Sequence, residues 1–531
     1  MVNKKVFDIL DKYTPILAGA SKKIKKSDGR EVIFSPFFSS LTIKHSEKSH
    51  IETRNGGVTS ENGKHSESYH GRVEIRMGDS IKGGSFASNT FCLPLGLDNR
   101  ACGLEIWEAG NEAFWQSASD LESRFSESLG LKESRDKFLY FSREKPVRYI
   151  EQEEPSTLDI DKTQDLMKKV SRDLLIKKLA SAQANFSMIN EKRYLVNSEG
   201  SRIFTSFKRY SVWLEVMALD SKNRASPHIE TIHVMDAAKI PHYESLMNIG
   251  RRITLELLDI VKSPMEKNGV YPTLIDCENH GVFWHEVTGH PLEADRMQED
   301  DYGNKTFLFK DKVGEQIAPN FINLYDDPTI KELDGHYLFD DEGVESRRVE
   351  LIKNGVLQCY LHSRQSAGYF KTKSNGHARS EKNNDPQVRM SNIIVKSSNA
   401  VPFEELKKNL INLCKEQNKP YGLIFKNTSG GLTLPEESFY QTFPANVFRL
   451  FTDGKMERVR GIYVVGTPYN ALSSIIQTSD RTGTFRGSCG SESGWVPATE
   501  TAPDALIRSI EVNRIPEESY DTFSTPVLTK P

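Results

Sequence analysis

The apolar positions of this chain change period several times, and each change marks an element. Over residues 1–20, Val6, Ile9, Leu10, Tyr13 and Ile16 recur at helical spacing, which predicts an amphipathic helix. The pattern then turns to alternation. Ser40–His45 (SLTIKH) and Gly71–Met77 (GRVEIRM) set apolar residues against polar or charged ones, as half-buried strands do. The polar, Gly-containing run Asn55–Lys64 between them reads as a solvated turn. Helical spacing returns over Ser117–Lys137 and more strongly over Ser156–Lys178, with Ser156 or Thr157 as the cap. From Ala184 to Leu219 the pattern is one of short alternating strands about the turn Asn197–Gly200, a β-meander. Tyr243–Lys262 is a helix with Leu246, Ile249, Ile253, Leu257 and Ile260 on one face, and Thr273–Asp276 is a strand. Strands and loops are expected from there on, apart from a helix near Phe403–Glu416. Turn signals at Asp340–Gly343, Lys353–Gly355 and Asp453–Gly454 punctuate them. The tail Tyr520–Pro531 reads as extended.

These patterns predict an α+β fold in two domains. An N-terminal α+β domain closing in the meander spans 1–227, and a β-rich C-terminal domain spans 236–531, with the boundary at Ser221–Pro227 and Asp236–Pro241. At 531 residues the chain is long enough for two full cores. It is 37% hydrophobic and 27% charged, as soluble globular proteins are. A net charge of −3 argues against nucleic acid as a direct partner. The cysteines, Cys92, Cys102, Cys277, Cys359, Cys414 and Cys489, form no C-x-x-C pair, so neither a disulfide framework nor a zinc ribbon is expected. The N-terminal segment lacks a signal-peptide core, and no run approaches the ~20 apolar residues of a membrane span. The expected location is the cytoplasm, with no membrane partner.

The chemistry concentrates in His285-Glu286-Val287-Thr288-Gly289-His290. Two histidines bracket a glutamate as in the zinc-protease signature H-E-x-x-H, with one residue more between them. Neutral imidazoles bind Zn²⁺, and a carboxylate beside the metal can take a proton from the attacking water. On a straight α-helix, positions four apart differ by about 40° around the axis and positions five apart by about 140°. His285 and His290 can therefore share a metal only if the helix widens by one π-type turn. Gly289 permits that, and Pro291 removes a donor just after His290, so a distortion is predicted between Val287 and Pro291. The six-residue motif by itself arises by chance in roughly a few per hundred chains of this size.

Catalytic zinc takes three protein ligands. Glu293, three residues beyond His290, shares its face if the helix resumes after Pro291, whereas Asp295 is turned away. His280 would have to fold back. Cys489, in the Gly/Ser-rich RGSCGSESGW, could bring a thiolate to the metal. On residue chemistry alone Glu293 and Cys489 rank level.

The second half resembles the TldD/PmbA family of zinc-dependent metalloproteases. The resemblance rests on ordered segments from about Asp276 to Pro503: FWHEVTGHPLEAD, the Asp326-Asp327-Pro328 run, FDDEGVES with LIKNGVLQCYL, NGHARS, VRMSN, Gly430-Gly431, FTDGKMERVRG and SCGSESGWVPATETAP. The resemblance implies His285, His290 and Cys489 as ligands of one Zn²⁺ per chain and Glu286 as the catalytic base. It marks the chain as the catalytic, TldD type, because PmbA-type members lack the metal motif. It further implies an unfolded or short peptide substrate and a dimer, either of identical chains or with a PmbA-type chain. Maturation of peptide antibiotics or clearance of small antitoxins are the family's roles. The alternatives are a non-catalytic scaffold subunit or a modulator of a DNA enzyme such as gyrase. Ser491 and Trp495 depart from the family's usual Lys and Gln, and Val512-Asn513-Arg514 from its Gly-Gly ending. Among the other matched residues, Asp340, Asp341 and Glu342 could orient a metal-bound histidine or simply form a turn. Arg389 and Asn392 could grip a peptide backbone or serve as structural hydrogen-bonders. His377 and Arg379 are candidates for stabilising an oxyanion, against solvated loop residues as the plainer reading. An extended peptide is expected to add as a strand beside the second domain.

Overall fold

The structure, a computed structural model, describes residues 3–25, 31–59, 65–79, 83–127, 140–153, 158–297, 307–434 and 438–516. The expected cap at Ser156 or Thr157, the end of the Ser117–Lys137 pattern and the tail Tyr520–Pro531 lie outside these residues. The fold is α+β, built on two large sheets of nine and twelve strands. No described helix is long and apolar enough to cross a membrane.

In the first sheet, six long strands run in the spatial order Ala225–Val234, Arg202–Leu219, Ser181–Asn197, Pro36–Ile51, Ser66–Asp79 and Gly83–Leu93, all antiparallel. The meander at Asn197–Gly200 is a hairpin of strands 17 and 18 residues long, longer than the sequence pattern suggests. Alternation sorts the side chains. Leu41, Ile43, Val73, Ile75, Tyr194 and Phe204 pack under the helices Lys4–Ala18 and Asn99–Glu127. Phe186, Val212 and Leu214 pack under Ile160–Leu174 and Tyr243–Ile260. The last of these helices follows the expected boundary at 236, yet Leu246, Ile253 and Leu257 bury against the first sheet. Asp159 caps the Ile160–Leu174 helix, accepting from the Lys162 amide at 3.0 Å.

The other face of the first sheet carries Lys44, Arg72, Glu74, Arg76 and Arg193, and it is covered by the second half of the chain. Lys44 Nζ lies 3.1 Å from Asp341 Oδ2 and donates to the Ser380 carbonyl at 2.8 Å. The Lys44 and Arg193 cations hold the Asp341 carboxyl down to about 2 against the upward push of its burial.

The second sheet closes on itself. Strand Gly269–Ile275 pairs with Tyr421–Leu434 on one side and with Gly494–Arg514 on the other, and Phe439–Phe451 and Ile462–Gly466 complete a ring. Leu274, Ile424 and Leu506 face outward onto the helix Phe403–Glu416. Ile275, Phe425 and Ile507 face the opposite way, into a core shared with Phe283, Trp284 and Val287. The short helix Cys277–Trp284 thus runs into the apolar side of the ring, capped by Asp276, which accepts from the Asn279 amide at 3.0 Å.

Candidate metal centre

The helix that begins at Cys277 does not continue straight. From His285 to Gly289 it widens into a π-turn, with the His290 amide donating to the His285 carbonyl, and a 3₁₀ turn follows over His290–Leu292. Gly289 serves here through close approach, since a Cβ would lie 1.9 Å from Met390 Sδ. The wide turn brings the two rings edge to face, with centroids 5.0 Å apart at 81°.

Cys489 comes from the hairpin of Ile475–Ser491 and Gly494–Arg514, where it pairs with Val496. By alternation Val496, Ala498, Glu500 and Ala502 share one buried face of the hairpin with it. The Cys489 sulfur lies 3.5 Å from His290 Nε2. One donor atom each from His285, His290 and Cys489 falls within 4.8 Å of the other two. Donors around a tetrahedral zinc, at bond lengths of about 2.0–2.3 Å, sit about 3.3–3.8 Å apart. The 3.5 Å between Cys489 Sγ and His290 Nε2 falls in that range, and a soft thiolate with two imidazoles is a donor set suited to that ion.

The far ring nitrogens are already taken. His285 Nδ1 is 2.6 Å from Glu500 Oε1, and His290 Nδ1 is 3.1 Å from Glu293 Oε2. These carboxylates fix the tautomer that turns each Nε2 toward the thiol. The structure therefore separates two residues that ranked level: Cys489 joins the histidines, and Glu293 stands behind one of them. Glu500 was missed in the sequence. Its signal is a carboxylate on a strand face otherwise made of Val496, Ala498 and Ala502.

Electrostatics match a site for positive charge. Burial opposes charge on both imidazoles, yet the Cys489 thiolate and then Glu500 raise His285 well above its ordinary value. Cys489 and then Glu293 push His290 up to about 10 despite the same burial. Burial likewise raises the Cys489 thiol, but His290, His285 and Arg389 hold it well below its ordinary value. A dication satisfies the same field without the protons. Glu286 is raised by burial, and its Oε2 has no hydrogen-bond partner among the described residues. Gly431 makes room for it, because a Cβ there would meet Glu286 Cγ at 2.7 Å.

The other candidates are engaged elsewhere. His280 bonds the Pro503 carbonyl through Nδ1 at 2.7 Å and accepts from Trp284 Nε1 at 2.7 Å. Asp295 accepts from Ser363 Oγ and the Val388 amide. Asp340 closes a turn by accepting from the Glu342 and Val344 amides, and Asp341 anchors Lys44, so neither touches the histidines. Glu342 accepts from the Arg364 amide at 2.6 Å. His377 and Arg379 are buried rather than solvated; His377 Nε2 lies 3.1 Å from Asp326 and Arg379 donates to the Met390 carbonyl. Asn392 is buried and bonded to Gly335 and Asp327, and Arg389 is buried against the cysteine hairpin. His45, Glu47 and Glu67 form a second cluster within 4.8 Å. There Glu67 already holds His45 Nε2 at 2.7 Å, and Lys192 lies 4.0 Å from Glu47, so its charge is compensated.

A family model described as the PmbA/TldA metallopeptidase C-terminal domain matches residues 268–514. The chain is 30% identical over 346 residues to a metalloprotease of Methanocaldococcus jannaschii, covering 65% of this chain and 72% of that one. It is 27% identical over 269 residues to a zinc metalloprotease TldD homolog of Saccharolobus solfataricus, covering 50% and 56%. Among solved structures, TldE from Thermococcus kodakarensis superposes with a TM-score of 0.62 at 15% identity, over 90% of this chain and 96% of that one. A Thermotoga maritima protein described as a candidate modulator of a DNA gyrase gives 0.63 at 17%, over 90% and 96%. At those identities the structural likeness concerns the fold alone.

Proposed function

Because this chain belongs to the PmbA/TldD family of metallopeptidases, we propose that it is a zinc-dependent peptidase acting on short or unfolded peptides. The observation that carries this reading is the convergence of His285, His290 and Cys489 beside a buried glutamate with an unpartnered oxygen. Those three side chains hold one Zn²⁺, which supplies Lewis acidity toward a peptide carbonyl and a water. Glu286 takes the proton of the attacking water and passes it to the leaving amine. Burial raises its proton affinity, which suits a group that takes a proton and then delivers it. Glu500 and Glu293 keep the imidazoles facing the cation. An extended peptide adds as a strand at an open edge of the second sheet, outside its closed ring, and binds with little sequence choice. A partner of the same architecture, a second copy or a PmbA-type chain, is in keeping with the fold shared with TldE.

The test is Glu286→Gln in the full chain, assayed on a fluorescein-labelled unfolded polypeptide with zinc measured by elemental analysis. The variant is expected to keep its zinc and to lose turnover by about a thousandfold or more. Undiminished hydrolysis by that variant removes Glu286 as the base. Hydrolysis that survives a strong chelator removes the metal-dependent reading, and absence of hydrolysis in the zinc-loaded parent leaves a scaffold role.

A further inference from the structure

Arg389 is fully buried, and its three nitrogens face different parts of the candidate metal centre. Nη2 donates to the carbonyl of Cys489. Nη1 donates to Ser493 Oγ and to the Gly494 carbonyl, each at 2.8 Å, so the guanidinium spans the tip of the cysteine hairpin. Nε has no hydrogen-bond partner among the described residues. It faces Glu293 Oε1 at 3.9 Å, an oxygen likewise without a partner. The other oxygen of Glu293 is the one beside His290 Nδ1, where Arg296 Nε also reaches it at 2.9 Å.

One rigid cation therefore touches the backbone of the cysteine on one edge and the carboxylate behind His290 on the other. The two proposed donors it braces, His290 and Cys489, are 199 residues apart in sequence. A buried arginine is costly unless its charge is compensated, and here the two Nη groups bond the hairpin while Nε faces the Glu293 carboxylate. The fork geometry matters. A guanidinium offers five donors in one plane and fixes the spacing of its acceptors, whereas an ammonium is a point charge with three rotatable donors. A cysteine sulfur is one rotatable bond from its backbone, so holding the Cys489 carbonyl holds the sulfur.

We propose that Arg389 is a positioning residue of the metal centre, a clamp that sets the Cys489 backbone at the distance His290 requires. This rests on the reading of His285, His290 and Cys489 as the donor set. Its Nη donors are taken up inside the protein and the whole side chain is buried, so it does not grip the peptide.

The experiment is a double-mutant cycle on the full chain. Arg389→Lys, Cys489→Ser and the double variant are compared for zinc affinity by competition with a chromophoric chelator. Melting of the metal-free chains reports folding. With Cys489 present, Arg389→Lys is expected to weaken zinc binding about 10–100-fold. In the Cys489→Ser background the same change is expected to cost less than about threefold, because the clamp then has no donor to place. An equal factor in both backgrounds means a merely structural arginine and overturns the proposal while leaving the donor set intact. If Cys489→Ser alone leaves zinc affinity unchanged, the donor set itself is wrong and the clamp falls with it. If Arg389→Lys does not fold, Ser493→Ala carries the same comparison, with a loss of about 3–10-fold expected only when Cys489 is present. An effect of about twofold or less there also overturns the proposal.

Discussion

Glu500→Ala probes the carboxylate that the sequence did not point to. In the parent, Glu500 Oε1 lies 2.6 Å from His285 Nδ1, and the two residues are 2% and 7% exposed. Alanine leaves the imidazole N–H buried without an acceptor, which costs about 1–3 kcal/mol. It also releases the ring to its other tautomer, which places the proton on Nε2 and blocks that donor atom. Since about 1.4 kcal/mol is a factor of ten, zinc affinity should fall about 10–100-fold, the usual effect of losing the partner behind a metal-bound histidine. Glu500→Gln separates the hydrogen bond from the charge. Gln keeps an acceptor oxygen and the volume, and the second oxygen of Glu500 has no partner among the described residues, so an amide fits there. Burial already raises the Glu500 carboxyl despite the pull of His285, so the negative charge is not cheaply held. The Gln variant should therefore lose less than about tenfold. Chelator competition gives both affinities, and melting of the metal-free chains shows whether the alanine cavity alone explains the loss. An alanine variant that binds zinc within about twofold of the parent would refute the claim that Glu500 sets the orientation of His285.

Two further outcomes are expected. Gly431→Ala forces a Cβ to within 2.7 Å of Glu286 Cγ and 2.8 Å of the Gln441 carbonyl. It should keep stoichiometric zinc and lose about a hundredfold in kcat through displacement of the base, and a fully active variant shows that Glu286 is not held there. Glu342→Gln tests the junction of the two halves. Burial, and next the Glu74 carboxylate, push the Glu342 carboxyl up to about 7. Its folded value is raised above the unfolded one of about 4.3, so its contribution is present at lower pH and lost as pH rises through about 7. The Gln variant should thus gain about 1–3 kcal/mol over the parent near pH 8 and little near pH 5. Equal melting shifts at both pH values contradict the assignment.

What could be read from the sequence was what local geometry dictates. One residue too many between two histidines, followed by Pro291, demands a wide turn, and the π-turn over His285–Gly289 is there. Helix Phe403–Glu416 and the turn at Asn354-Gly355, with φ of 48° and 77°, follow from spacing and turn chemistry alone. Helix Asn99–Glu127 starts well before the Ser117 expected. Its buried stripe begins with Cys102, Ile106, Ala109 and Ala113, mostly small residues, while Leu104, Trp107 and Trp115 are exposed, so apolar periodicity is blurred there. The charges of GRVEIRM read as a solvent face. Arg72 and Arg76 pair with Glu74 on the same strand, and all three are buried under the second half of the chain, from which Asp385 reaches Arg72 across some three hundred residues, a pairing that no local pattern encodes. The polarity of that strand was legible, but not what covers it. Glu500 was hidden for the same reason, its partner lying 215 residues before it.

The two kinds of donor therefore depend on the fold to different degrees. His285 and His290 are placed by one short helix, its Asp276 cap and one wide turn, all within a few residues of each other. Cys489 is placed by a relay that starts in the first sheet. Lys44 donates to the Ser380 carbonyl at 2.8 Å, and the next residue, Glu381, donates its amide to the Ser493 carbonyl at 2.8 Å. Its side chain in turn accepts from the Trp495 amide at 3.1 Å, so the loop grips the hairpin turn beyond Cys489 and the start of the strand that follows it. The first sheet gives no donor atom to the trio, yet it braces the loop that holds the cysteine hairpin. Metal binding is then coupled to docking of the two halves as well as to formation of the site helix. A pair of histidines alone is a weak site, and the buried Lys44–Asp341 junction links the first sheet to the loop that holds the hairpin carrying the proposed third donor.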